Sequence, residues 1–127
     1  MIVVDTSALM AIVLREPEAA ACISVLTVET AVSASAGTIA EALIVAGRRR
    51  VADEMETLIN DLDFEVVAVT PASARRVAKA YEQWGKGLHP AALNFGDCFA
   101  YELAKAQSCP LLFIGDDFSK TDVESVL

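Results

Sequence analysis

Histidine is almost missing from this sequence: there is one in 127 residues, beside three cysteines that form no Cys-x-x-Cys pair. That scarcity excludes a zinc site of imidazoles and thiolates, and a disulfide-stapled scaffold as well. The scattered Cys22, Cys98 and Cys109 read instead as reduced thiols of a cytoplasmic protein. Long apolar runs are also lacking. The longest, Ala8 to Leu14, covers seven residues, against about 20 for a helix that crosses a bilayer. Met1-Ile2-Val3-Val4-Asp5 has neither the basic start nor the small-residue cleavage site of a signal peptide. No Gly/Pro/Ser-rich linker or repeat interrupts the chain, so residues 1–127 read as one domain. Cations are few: 10 Lys and Arg face 18 Asp and Glu, a net charge of −8. A general nucleic-acid binder is expected to be basic, so this balance argues against a large phosphate-tracking surface. It suits a protein that gathers carboxylates around a metal.

What is present is a strongly apolar chain, 54% hydrophobic, in which short β-branched runs alternate with helical stretches. Ile2 to Val4 reads as a buried strand ending at Asp5, with Thr6 and Ser7 capping a helix to about Leu14. Glu18 to Leu26, Thr38 to Arg50, Asp53 to Leu62, Ala72 to Trp84 and Phe95 to about Gln107 are expected helices. In the fourth of these, Ala74, Val77, Ala78 and Tyr81 share a face. Ala31 to Ser35, Phe64 to Val69 and Leu111 to Ile114 are expected strands. Gly85 to Leu93 is an expected exposed loop. Alternation of this kind specifies an α/β fold with a central parallel sheet flanked by helices. Ligands in such sheets bind beyond the carboxyl ends of the strands, where Asp5 and the pair Asp116 and Asp117 fall.

Each acid also has a purely structural explanation. Asp5 suits a helix N-terminus, where the dipole favours negative charge. Thr38 and Glu41 fit a capping box. Asp97 stands in the first turn of a helix capped by Asn94, and Asp116 and Asp117 could cap a last helix. Their joint occurrence is harder to explain so. Glu41 is the only charged residue between Thr30 and Gly47, among apolar neighbours, and a carboxylate there is costly without a cation or donors. Clustered carboxylates repel one another, and no Lys or Arg adjoins any of them in sequence. An all-oxygen set of Asp5, Glu41, Asp97 and Asp116 or Asp117 selects a hard cation, Mg²⁺ with Mn²⁺ as substitute. Such a pocket suits phosphodiester hydrolysis. Ser7 could hydrogen-bond a ligand carboxylate or simply cap the helix. His89, in the glycine loop, reads as a surface or substrate-contacting residue rather than a ligand, and Cys98 as core.

Ile2-Val3-Val4-Asp5-Thr6-Ser7-Ala8-Leu9, Thr38-Ile39-Ala40-Glu41, the Asn94-Phe95-Gly96-Asp97-Cys98 segment and Gly115-Asp116-Asp117-Phe118 occur in that order. In those segments the chain resembles a PIN domain, specifically a VapC-type toxin ribonuclease, over essentially its whole length. The resemblance implies a PIN-like fold and a Mg²⁺-dependent endoribonuclease acting on RNA. It also implies a VapB-type antitoxin as partner and, commonly, a homodimer. It places Asp5, Glu41 and Asp97 as the first three acids of the catalytic, metal-holding site, with Asp116 or Asp117 as the fourth. Removing those five acids would change the net charge from −8 to −3, so much of the acidity is the site itself. Arg48-Arg49-Arg50, Arg75-Arg76 with Lys79, and Lys86 could meet RNA phosphates, or simply be solvated helix faces. Two alternatives remain open: a PIN-like domain that binds RNA or a partner without cutting, and a receiver-type phosphoacceptor domain. The second lacks the late lysine and middle-strand aspartate that its chemistry needs.

Overall fold

The computed structural model describes all 127 residues. Four short strands, β1 (Ile2–Val4), β2 (Val32–Ser35), β3 (Glu65–Val67) and β4 (Leu111–Leu112), form one sheet in the order β3-β2-β1-β4. Every pairing is parallel, with Val3 opposite Ser33 and Leu111, and Ala34 opposite Val66. Parallel neighbours need crossovers, and helices supply them. Helices α1 (Thr6–Val13) and α2 (Ala19–Val28) join β1 to β2, and α3 (Ala36–Arg48) and α4 (Ala52–Leu62) join β2 to β3. Then α5 (Pro71–Trp84) and α6 (Phe95–Ala106) carry the chain back across the sheet to β4. The chain therefore leaves β1 in one direction and reaches β4 from the other. That reversal opens a crevice between the carboxyl ends of β1 and β4.

Side chains alternate across a strand, and the two faces of the sheet bury different partners. Ile2, Val4, Ala34 and Leu112 pack with Leu9, Cys22, Ala42 and Met55 from α1 to α4. Val3 and Leu111 pack with Val77, Leu93, Leu103 and Phe118 on the opposite side. Strand β1 is buried on both faces, which explains its unbroken Ile-Val-Val.

Several local expectations change. Asp5, not Thr6 or Ser7, is the N-cap of α1, its carboxylate accepting from the Ser7 amide. Helix α3 begins two residues earlier than expected, with Ser35 as N-cap, so Thr38 lies inside its first turn and the Thr38–Glu41 capping box does not form. Helix α5 buries Ser73, Val77 and Ala80 and leaves Ala74, Ala78 and Tyr81 outward, a shift of the expected face. Strand β3 is short and largely exposed because it closes the sheet edge. The Gly85–Leu93 segment is pinned rather than loose. Gly85 bridges Leu93, which is fully buried, and His89 is half-buried, accepting from the Ala91 amide with its ring edge-on to Trp84 at 4.8 Å. No last helix follows Asp116 and Asp117; the chain turns there and runs back beside β4, Leu111 bridging Ser125. No helix is long and apolar enough to cross a membrane.

Candidate active site

Asp5 follows β1 directly, and burial leaves it 3% exposed. Its Oδ2 accepts from the Ser7 amide at 3.0 Å and from the Ser7 hydroxyl at 2.7 Å. Ser7 Oγ in turn accepts from the Ile114 amide at 3.0 Å. One hydroxyl thus fixes the carboxylate and ties the end of β1 to the segment after β4. The other oxygen, Asp5 Oδ1, is buried with no hydrogen-bond partner. An unpartnered buried carboxylate oxygen is expensive in isolation. Here it marks a place where a cation or donor belongs.

Asp97 lies in the first turn of α6. A reciprocal capping box holds it: its amide donates to Asn94 Oδ1 at 2.8 Å, and its Oδ2 accepts from the Asn94 amide at 3.0 Å. Burial pushes its carboxyl up to about 7, opposed by the Asn94 amide and reinforced by the negative charges of Asp5, Asp117 and Glu41. Burial likewise raises Asp5 to about 6, with Glu41 adding repulsion and the Ser7 donors opposing. Asp5, Glu41, Asp97 and Asp117, four of the five sequence-selected acids, are thus near enough at the crevice for their charges to act on one another.

Asp116 and Asp117 part company. Both are exposed, but among the charges that raise Asp97, Asp117 stands and Asp116 does not. The Asp116 carbonyl instead accepts from the Ser119 amide and hydroxyl.

Glu41, half-buried in the second turn of α3, accepts from Thr6 Oγ1 at 2.7 Å through Oε1. Its other oxygen lies against Gly96: a Cβ there would fall on Glu41 Oε2. Sequence reading missed both neighbours. Thr6 gave no signal beyond capping, and Gly96, second residue of α6, gains its meaning only from the carboxylate packed on it.

No lysine, arginine or histidine forms an ion pair with Asp5, Glu41, Asp97 or Asp117. No three His, Cys, Asp or Glu side chains stand together as a metal-ligand set. Ser7, Thr6 and Asn94 each hold one oxygen of Asp5, Glu41 and Asp97 in turn. The remaining donors are all oxygens, one of them orphaned, and their charges are uncompensated. That donor set fits a hard divalent cation. Cys98, fully buried with its thiol pushed up to about 11 by burial, belongs to the core as expected.

Comparison with known proteins bears on the family and the fold. The family model described as PIN domain matches residues 2–124. Ribonuclease VapC28 of Mycobacterium tuberculosis is 40% identical over 129 residues, covering 98% of this chain and 97% of the relative. Ribonuclease VapC of Mycolicibacterium smegmatis is 38% identical, covering 98% of each. Among solved structures, the fold matches Mycobacterium tuberculosis VapC20, a Sarcin-Ricin loop cleaving toxin, with a TM-score of 0.81 at 17% identity. That match covers 99% of this chain and 98% of that one. A toxin–antitoxin complex from Klebsiella pneumoniae matches with a TM-score of 0.72 at 15% identity, covering 96% and 93%. From strand order, acid cluster and near-complete relatives alike, this chain belongs to the PIN domain family.

Proposed function

We propose that the chain is the toxin component of a type II toxin–antitoxin system, an endoribonuclease that hydrolyses RNA with a divalent ion held by its acid cluster. The observation that carries this reading is the group of Asp5, Glu41, Asp97 and Asp117 without a compensating cation, with Asp5 Oδ1 buried and unpartnered. The near-full-length relatives named ribonuclease VapC support it. Asp5 and Asp97 are the direct holders of Mg²⁺, for which Mn²⁺ substitutes. When bound, the ion polarises the phosphate and eases deprotonation of an attacking water.

The chain's own residues supply position. Ser7 fixes Asp5 by donating to Oδ2, which leaves the buried Oδ1 without a partner. Thr6 holds Glu41 by Oε1 and Gly96 leaves room for Oε2, which together set the carboxylate that would orient water or an ion ligand. Asn94 holds Asp97 at the helix start, where the N-terminal dipole also favours an anionic phosphate. Asp117 completes the rim as fourth acid in preference to Asp116. No covalent nucleophile is required.

We place the protein in the cytoplasm as one domain over residues 1–127, a homodimer whose inhibitor is a VapB-type antitoxin. The solved toxin–antitoxin complexes of the same fold support that partner. The test is cleavage of RNA by the purified chain with Mg²⁺, with Mn²⁺ and with EDTA. Cleavage with either ion and none with EDTA is expected. Cleavage that persists in EDTA, or in the Asp97→Asn variant, would sink the assignment.

A further inference from the structure

An apolar groove of about 330 Å³ lies between α3 and the start of α6, lined by Glu41, Ile44, Val45, Arg48, Phe95 and Phe99. Its features are unusual for this chain. Phe95 is 70% exposed and Ile44 58% exposed, although both sit on well-ordered helices. The Phe99 ring lies against Gly37, whose lack of a Cβ leaves room for it. Phe95 then stands edge-on to Phe99, centroids 5.0 Å apart at 88°. The pair forms a fixed aromatic wall. Arg48, exposed and in no ion pair, supplies a positive charge. Glu41 is the only acid in the lining. In a chain of net charge −8, an acid-poor aromatic groove with a free arginine stands apart.

We infer that this groove is a nucleobase subsite, in which an unstacked base of single-stranded RNA lies on Phe95 while Arg48 meets a flanking phosphate. The inference rests on the nuclease reading of the acid cluster and extends it to the substrate's conformation. Continuity decides the occupant. Glu41 belongs to both groove and cluster, so a base seated here lies beside the acids. Aromatic stacking on a base is tolerant of sequence and stabilises binding by about 1–3 kcal/mol per base. A few strong stacking contacts also suit a protein too acidic to rely on long phosphate tracking.

The test uses a randomised single-stranded RNA pool and an abasic ribose-phosphate oligomer of equal length as probes. Cleavage of the pool is followed with Mg²⁺, and anisotropy reports binding of both probes in the Asp97→Asn background. Phe95→Ala should weaken binding of the RNA pool roughly 5- to 100-fold and leave the abasic oligomer unchanged. Phe95→Trp should restore pool binding, whereas Phe95→Leu, which keeps bulk without a ring system, should not. Arg48→Gln should weaken both probes alike. The inference fails if Phe95→Ala binds and cleaves the pool as the parent does. It also fails if that variant dissociates a dimer, by sedimentation, with pool affinity per chain unchanged; the groove is then an interface between copies. If the parent cleaves no RNA with any divalent ion, the nuclease reading falls and this subsite with it.

Discussion

At the residue scale, Asp97 divides its work between its functional groups. Its amide and Oδ2 close the capping box with Asn94, and its charge faces three other acids. Asparagine keeps the cap and removes the charge. Asp97→Asn is therefore expected to lower RNA cleavage by at least about 100-fold, the scale of losing a charged group at the reacting centre, without lowering Tm. Asp97→Ala should lose the activity and also about 1 kcal/mol of helix capping; calorimetry beside a cleavage assay separates the two. The raised acids also set a pH dependence. Asp97, at about 7 against an ordinary 3.8, binds its proton more tightly folded than unfolded. Its contribution is thus favourable at low pH and is lost as pH rises through about 7. Asp5, at about 6, acts in the same direction. Without divalent ions, Tm should fall between pH 5 and 8, and the fall should shrink in Asp97→Asn. Added Mn²⁺ should raise Tm more at pH 8 than at pH 5. A flat Tm profile across that range would contradict the clustered geometry.

At the element scale, the site depends on how helices meet. Glu41 comes from α3 and Gly96 from α6, and the carboxylate fits because Gly96 has no side chain. Gly96→Ala improves helix propensity, yet its methyl must displace Glu41 from the position that Thr6 supports. The flexible end of Glu41 yields more cheaply than backbone. Tm should consequently stay within a few degrees of the parent while cleavage drops at least about tenfold, read as kcat at saturating RNA. If Gly96→Ala cleaves normally, Glu41 has no positional role.

At the scale of the whole molecule, the side of the sheet behind the acids is secured by a relay of hydrogen bonds. Trp84 Nε1 donates to Tyr101 Oη at 2.9 Å, Tyr101 Oη donates to Asp122 Oδ1 at 2.6 Å, and Lys105 pairs with Asp122 at 3.2 Å. This chain of contacts joins α5, α6 and the segment that returns beside β4. Tyr101→Phe removes the middle link and leaves the Trp84 indole without its acceptor, a cost of about 1–3 kcal/mol. Urea unfolding should show that loss, with cleavage per folded molecule retained.

Much of this molecule is legible along the chain, because some signals are local. Ile2-Val3-Val4 must be a buried strand and Asn94 must start a helix; neither depends on distant residues. Alternating periodicities were enough to specify the parallel α/β fold. Tertiary structure decided what local chemistry leaves degenerate. Thr38 with Glu41 has the form of a capping box, but Ser35 ends β2 and starts α3 earlier, which frees Glu41 for the crevice. Asp116 and Asp117 are adjacent and chemically alike; only in the folded chain does the charge of Asp117, and not that of Asp116, act on Asp97. Thr6, Gly96 and the Phe95–Phe99 wall gain meaning solely from what packs against them. Convergence of side chains from four separate segments is a property of the folded chain, since no pattern along the backbone encodes which oxygens will face one another.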